Sequence, residues 1–324
     1  MSEGACKLSI GSHMVRNNAF LAPMAGITDA PFRELAWRYG AGYVVSEMLG
    51  VQGALWHTEK SRLRRVPVAG IEPRAVQIAG GDPHSVAEAA RRHVDEGAQI
   101  IDINFGCPAK KVCRKAAGSQ LLKDPDLVAE IARETVAAVP VPVTVKMRTG
   151  WSTDMKHGAA IAYRLQEEGV AAVTVHGRTR ACRFEGEAEH DTVAEIKSRL
   201  RVPVFANGDI GSPAQANAVM ERTGVDGVMI GRSALGAPWL LGMVADPARR
   251  EPGVREKWAV MAGHVAALHE FYGEARGVRV ARKHVQWYLA HLLSDPAPAR
   301  IFNGLTDGAA QLDWLAAMGG RAAA

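Results

Sequence analysis

Eight short runs of apolar, often β-branched residues recur along the chain at a near-regular interval. They begin at positions 20, 43, 75, 100, 143, 172, 204 and 227, separated by 23 to 43 residues and by about 30 on average. Between them lie segments with helical periodicity. Residues 85–96 place Val86, Ala89, Ala90 and Val94 on one face, and residues 126–136 do the same with Leu127, Val128, Ile131 and Ala132. Strands that alternate with helices must run parallel, and strands this uniformly apolar are buried on both faces. Eight such units favour closure into an α/β TIM (β/α)₈ barrel over an open doubly wound sheet. No GxGxxG follows the first run, which counts against a dinucleotide-binding doubly wound fold.

The pattern changes after Trp239. Pro247 and Pro252 mark a linker, and residues 258–271, 279–293 and 309–317 are helical in period without strand-like runs. The expected organisation is a barrel over residues 1–245 and a small C-terminal helical domain over 246–324, with helices that merely cap the barrel as the alternative. At 48% hydrophobic and 23% charged, the chain can bury a full core. No apolar run approaches the roughly 18 residues of a membrane span, and the first residues lack the basic and apolar regions of a secretory signal. Gly11-Ser12-His13-Met14 resembles the remnant of an expression tag, but it stands within a continuous stretch from Ile10 to Phe20 and reads as native chain. The four cysteines, Cys6, Cys107, Cys113 and Cys182, form neither a disulfide framework nor a CxxC pair. A reducing, cytoplasmic location is expected, with no metal site and no obligate protein partner.

In such a barrel, chemistry sits at the C-terminal ends of the strands. Polar or glycine-bearing motifs stand there: Ala22-Pro23-Met24-Ala25-Gly26, Ser46-Glu47, Gln77, Asn104 to Cys107, Lys146-Met147-Arg148, His176-Gly177-Arg178, Asn207-Gly208-Asp209 and Gly231-Arg232. Gly208 and Gly231 end the seventh and eighth runs, where barrels commonly hold a phosphate, although glycines in turns need no ligand. Arg232 adds a permanent cation. Lys146 ends an apolar strand, and an ammonium directed into a barrel mouth is costly unless it faces negative charge, as on a reduced flavin. Gln77 and Asn207 both donate and accept, which suits the edge of a flat heterocycle; the alternative for Gln77 is a satisfied core amide.

Cys107 lies between Gly106 and Pro108, so a tight turn holds its thiol in place. A free cysteine is mostly protonated at neutral pH and can act as an acid. The other three cysteines read as structural. Basic residues cluster at Lys60 to Arg65; at Lys110, Lys111, Arg114 and Lys115; at Arg178, Arg180 and Arg183; and at Arg276, Arg279, Arg282 and Lys283. The net charge is +5. Such clusters are either solvated faces or the footprint of a polyanion.

Taken together, these motifs resemble the tRNA-dihydrouridine synthases, in particular their bacterial B-type branch, over nearly the whole chain. The specific pieces are Ala22 to Asp29, Asp102 to Pro108, Lys146-Met147-Arg148, His176 to Arg180, Asn207 to Ile210, Ile230-Gly231-Arg232, and Ala281 to His284 followed by Trp287-Tyr288. The resemblance implies an FMN-containing barrel, a helical domain that helps hold tRNA, and NADPH as electron source. It places Pro23, Met24, Ala25, Gln77, Lys146, His176, Asn207, Gly208, Asp209, Gly231 and Arg232 on FMN-binding positions. It makes Cys107 the proton donor and Asn104 a contact to the target uracil. Hydride would pass from reduced FMN to C6 of uridine and a proton from Cys107 to C5. Lys110, Arg178, Arg282 and Lys283 are the expected substrate contacts from the basic clusters.

Three other readings remain open at this level. One is a flavin barrel acting on a free pyrimidine, of the dihydroorotate dehydrogenase kind; the basic clusters and helical tail speak against it. Another is a flavin-less phosphate-binding lyase or isomerase. The third is an RNA-binding or regulatory protein that has kept the fold without the chemistry.

Overall fold

The structure, a computed structural model, describes residues 8–113 and 117–322. Cys6, Arg114 and Lys115 fall outside the described residues, as do the side chains of Lys110 and Lys111. An antiparallel hairpin, β1 (Ser9–Ile10) and β2 (His13–Met14), opens the chain. Nine parallel strands follow: β3 (Ala19–Leu21), β4 (Tyr43–Val44), β5 (Leu49–Gly50), β6 (Ala75–Ala79), β7 (Ile100–Phe105), β8 (Val143–Arg148), β9 (Ala172–His176), β10 (Val204–Asn207) and β11 (Gly227–Ile230). They pair in the order β4-β3-β11-β10-β9-β8-β7-β6-β5.

β4 falls within the second predicted run, which spans residues 43–46; β5 lies beyond that run and continues the same edge. Ser46 interrupts it, because its hydroxyl donates to the Glu47 carbonyl (3.0 Å) and accepts from the Gln77 N–H (3.0 Å). A bridge between Val45 and Ala75 closes the sheet on itself, which makes the eight-unit barrel.

The helices around it are α1 (Ala30–Arg38), α2 (Glu59–Arg65), α3 (Pro83–Asp95), α4 (Lys110–Cys113), α5 (Pro125–Ala138), α6 (Gly158–Glu167), α7 (Asp191–Arg199), α8 (Pro213–Thr223) and α9 (Leu240–Ala245). A repeated local signal starts four of them. Asp29, Asp82, Asp124 and Ser212 each cap a first turn with a side-chain oxygen, and a proline stands at the first or second helical position. The cap satisfies an N–H that the helix cannot, and proline lacks the N–H that would otherwise be orphaned.

Inside the barrel, side chains alternate with period two and stack in layers. Phe20, Tyr43, Ala75, Ile100, Ala172 and Phe205 form an apolar floor together with Leu8, Ile10 and Val15 from the hairpin. Phe20 packs on Phe205 and Tyr43 at 4.3 and 4.9 Å between ring centroids. Gly11 turns the hairpin beneath the strands with φ of +55°, and a side chain there would collide with Pro142. Two residues above the floor come Gln77, Asp102 and Thr144, and above those Asn104, Lys146, His176 and Asn207.

After α9 the chain is helical: α10 (Val254–Tyr272), α11 (Glu274–Leu292), α12 (Ala297–Gly304) and α13 (Gly308–Ala322). These helices share an apolar cluster containing Met261, Leu268, Val285 and Phe302, to which the barrel side adds Leu35 and Trp239. Phe32 of α1 meets His264 and His284 at 5.5 and 5.8 Å. The hairpin and α12 are additions to the predicted elements; both are too short to announce themselves by period. Among the described residues, no helix is long and apolar enough to cross a membrane.

Candidate active site

The strand ends enclose a cavity of about 380 Å³. Every predicted cofactor residue lines it: Pro23, Met24, Ala25, Gln77, Lys146, His176, Asn207, Gly208, Asp209, Gly231 and Arg232. Cys107 and Asn104 line it too. Strand register explains the convergence. Asn104 is paired with Lys146, Arg148 with His176, and His176 with Asn207, so alternate residues of four neighbouring strands reach two adjoining rows at the mouth.

A continuous hydrogen-bonded chain sets the Cys107 turn. Thr144 and Gln77 both donate to the buried carboxyl of Asp102, each at 2.7 Å. Asn104 donates to Gln77 Oε1 at 2.8 Å, and its own Oδ1 accepts the N–H groups of Gly106 (3.1 Å) and Cys107 (2.9 Å). Ser119 donates to the Cys107 carbonyl at 2.9 Å. Gln77 and Asn104 are thus both core amides and cavity residues: each spends part of its capacity on the chain and keeps one amide hydrogen.

Burial holds the Cys107 thiol above its ordinary range, although a backbone hydrogen bond from Ala109 and the cations of Arg148 and Lys146 pull the other way. The thiol therefore stays protonated at neutral pH.

The opposite side is cationic. Lys146 donates to Asn207 Oδ1 at 2.8 Å, and burial, aided by Arg148, lowers its pKa to about 8. Burial first, then Lys146, Arg148, Arg178 and Arg232, push His176 down to about 2, which leaves a neutral imidazole among charges. Gly208 adopts φ of +118°, and a side chain there would strike Ala188 and the His176 ring. Asp209 follows at φ of +53°, a left-handed conformation that Asp tolerates better than most residues.

Three of the expected substrate contacts are held by acceptors within the protein. Arg178 is buried and fully engaged: it grips Asp209 in a two-bonded pair (2.5 and 3.0 Å) and donates to the Gly186 (2.6 Å) and Glu185 (3.2 Å) carbonyls. A guanidinium so committed orients Asp209 rather than reaching for a substrate. Lys283 bends inward from α11 onto the Gly26 carbonyl. Arg282 is half-buried and donates to the Leu305 carbonyl at 3.1 Å. Lys110 stands on α4, directly after the Cys107 loop.

Arg148, quoted in a strand-end motif but given no role, and Phe184, which sequence reasoning passed over, also line the cavity. Arg148 is only 1% exposed and donates to the carbonyls of Gly106, Thr179 and Arg183, each at 2.8 Å. It ties the Cys107 turn to the loop after β9. Its signal was available: it stands two residues beyond Lys146 on the same strand face. Phe184 is 53% exposed at the rim, with the guanidinium groups of Arg232 and Arg148 at 5.2 and 5.4 Å from its ring.

A parallel barrel whose mouth joins a held, protonated thiol to a cation-lined cavity has the layout of a barrel enzyme, with an acid facing a site for an anionic ligand. A sequence profile described as "Dihydrouridine synthase (Dus)" matches residues 20–313. The chain belongs to the dihydrouridine synthase family. It is 53% identical over 307 residues to tRNA-dihydrouridine synthase B of Pseudomonas putida (strain KT2440), covering 93% of this chain and 91% of that protein. To the protein of the same name from Escherichia coli (strain K12) it is 48% identical over 315 residues, covering 96% and 98%. Among solved structures, an old yellow enzyme homologue from Zymomonas mobilis superposes with a TM-score of 0.55 at 14% identity. That match covers 78% of this chain and 94% of that one, and it is a likeness of fold.

Proposed function

We propose that this chain reduces specific uridines of tRNA to 5,6-dihydrouridine in the cytoplasm, with FMN in the barrel mouth and NADPH as the electron source. The observation that carries this reading is the protonated Cys107 thiol on the wall of the same cavity as Lys146 and His176.

The residues present fit FMN. Lys146 is an ammonium whose burial leaves it in want of an anion, and it would hold the electron-rich edge of the ring. Gln77, His176 and Asn207 supply neutral donors and acceptors for the rest of that edge. Gly208, Gly231 and Arg232, with little side-chain bulk near the backbone and one half-exposed guanidinium, suit a phosphate. When bound, the flavin supplies the hydride that reaches C6 of the uracil.

Cys107 delivers the proton to C5. The thiolate left behind sits beside Arg148 and Lys146, whose charges favour it. Their opposed effects, burial keeping the proton on beforehand and cations stabilising its loss, are what a general acid needs. Asn104 holds the turn and offers its remaining amide hydrogen to the uracil edge.

A uridine inside folded RNA must leave its stack to enter this cavity, at a cost of a few kcal/mol. Phosphate contacts to exposed Lys60, Arg62, Arg183 and Arg279 would offset it, with Lys110 beside the Cys107 loop. Arg276 pairs with Glu59 at 3.6 Å, so α2 and α11 are neighbours and their basic residues form one surface. Residues 246–324 then serve as the tRNA-binding part, with Arg282 shaping the junction of α11 and α12.

The test supplies the purified chain with FMN, NADPH and tRNA lacking dihydrouridine, then quantifies the modified nucleoside. Product on tRNA and none on free uridine is expected. A protein that takes up no FMN, or that reduces the free base as well, overturns the reading.

A further inference from the structure

The loop from Pro23 to Ile27 lines one wall of the cavity through Pro23, Met24, Ala25 and Ile27. Its core is a four-residue turn: Ile27 N–H donates to the Met24 carbonyl at 3.0 Å, and Gly26 has φ of +78°. Among the described residues Ala25 has no positive φ, so the turn is type II. Type I and type II turns interconvert by flipping the central peptide, and glycine at this position permits both. A side chain on Gly26 would meet nothing within 4 Å, so neighbouring bulk does not decide between them.

What decides is a pair of charged side chains from distant elements. The Gly26 N–H, which belongs to the flippable central peptide, donates to Glu47. The Gly26 carbonyl, in the next peptide, accepts from Lys283 of α11. Glu47 is buried and held by Arg64 of α2 at 3.1 Å, and Arg64 also donates to the carbonyl of Met48, another cavity residue, at 3.0 Å. Beside this clamp, Tyr272 at the end of α10 donates at 2.9 Å to Asp29, the residue that caps α1. Both peptides around Gly26 are therefore fixed, one from the barrel and one from the helical bundle. The trans peptide points the Ala25 carbonyl away from Glu47.

We propose that Lys283 is a positioning residue for the cofactor: with Glu47 it locks the Gly26 turn that walls the flavin site, rather than contacting RNA phosphate. This rests on the flavin reading above, and the two fail separately, because wild-type protein that binds no FMN sinks that reading whatever its variants do.

The test measures FMN dissociation from the holoenzyme by flavin fluorescence, and tRNA affinity across a salt series. Lys283→Met is expected to raise the FMN Kd about tenfold, equivalent to about 1.4 kcal/mol, and to shift the flavin absorption band. Its slope of log Kd for tRNA against log salt should match wild type. Lys283→Arg, which keeps a cationic donor, should recover most of the FMN affinity. Glu47→Gln removes the charge opposite Lys283 and reads the same clamp from the other side. Its effect on FMN affinity should combine with that of Lys283→Met less than additively, because both act on one turn. Wild-type FMN affinity in either single variant, or a tRNA salt slope reduced by about one phosphate contact in Lys283→Met, roughly 0.7 to 0.9, overturns the proposal.

Discussion

Lys146 is the residue whose removal should separate stability from function. Folding carries its ammonium from water to the barrel mouth, and its pKa falls from 10.5 to about 8. That fall corresponds to about 3 kcal/mol of destabilisation while the group is charged. Lys146→Met removes this cost but leaves Asn207 Oδ1 without its donor, a loss of about 1 kcal/mol. The flavin-free variant should therefore melt above wild type at pH 7 by a net ~2 kcal/mol, or several degrees.

The pH dependence provides the sharper check. Between about 8 and 10.5 the unfolded wild-type chain binds more protons at Lys146 than the folded one, so wild-type stability gains on the variant as pH rises through that window. Below about 8 both states are protonated there and the advantage of the variant is complete. Paired thermal melts of the two flavin-free proteins from pH 7 to 10.5 measure the difference directly, and other titrating groups cancel. A difference that stays constant across the window would refute the idea that a desolvated ammonium is held in place for a ligand. FMN affinity should move oppositely, falling in Lys146→Met by tenfold or more.

Other perturbations address the acid, the loop and the RNA surface. Cys107→Ala should retain FMN and still consume NADPH, while dihydrouridine formation drops by about 10² to 10⁴, measured by nucleoside analysis of treated tRNA. Because burial holds the thiol above its usual range, wild-type turnover at saturating substrates should persist past ordinary thiol titration and fall only as pH rises beyond it. Arg148→Met strips donors from three carbonyls and should cost about 3 kcal/mol or more, seen as a lower Tm with loss of turnover. Arg62→Ala with Arg279→Ala should weaken tRNA binding and flatten its salt dependence without changing bound flavin.

The barrel was legible in the sequence because each strand is bounded by turn residues and buried on both faces, so the apolar runs stand out. The helices that begin with Asp-Pro or Ser-Pro were legible for a related reason, since cap and proline act locally. The second run ends at Ser46, and spacing does not announce that the edge resumes as β5 beyond it, after a break in which a side-chain hydroxyl takes over bonds that a ladder would have used. The mouth residues were legible by position alone: a polar residue at the end of an apolar parallel strand has nowhere else to go. What spacing could not reveal is which cations are free. Arg178, Arg282 and Lys283 look alike in the basic clusters, yet Asp209, the Leu305 carbonyl and the Gly26 carbonyl claim them, and those partners lie 23 to 257 positions away. Arg279, from the same cluster as Arg282 and Lys283, stays exposed.

The hairpin of β1 and β2 gives the barrel a floor, and a floored barrel has one door. Among the described residues, its apolar contacts with Phe20, Ile100 and Phe205 pack the end of the barrel opposite the cavity. Should the electron donor and the RNA both use the mouth at the strand ends, each would have to leave before the other entered. Rates measured with both substrates varied should trace parallel lines in double-reciprocal form, with excess of either visitor keeping the other waiting outside.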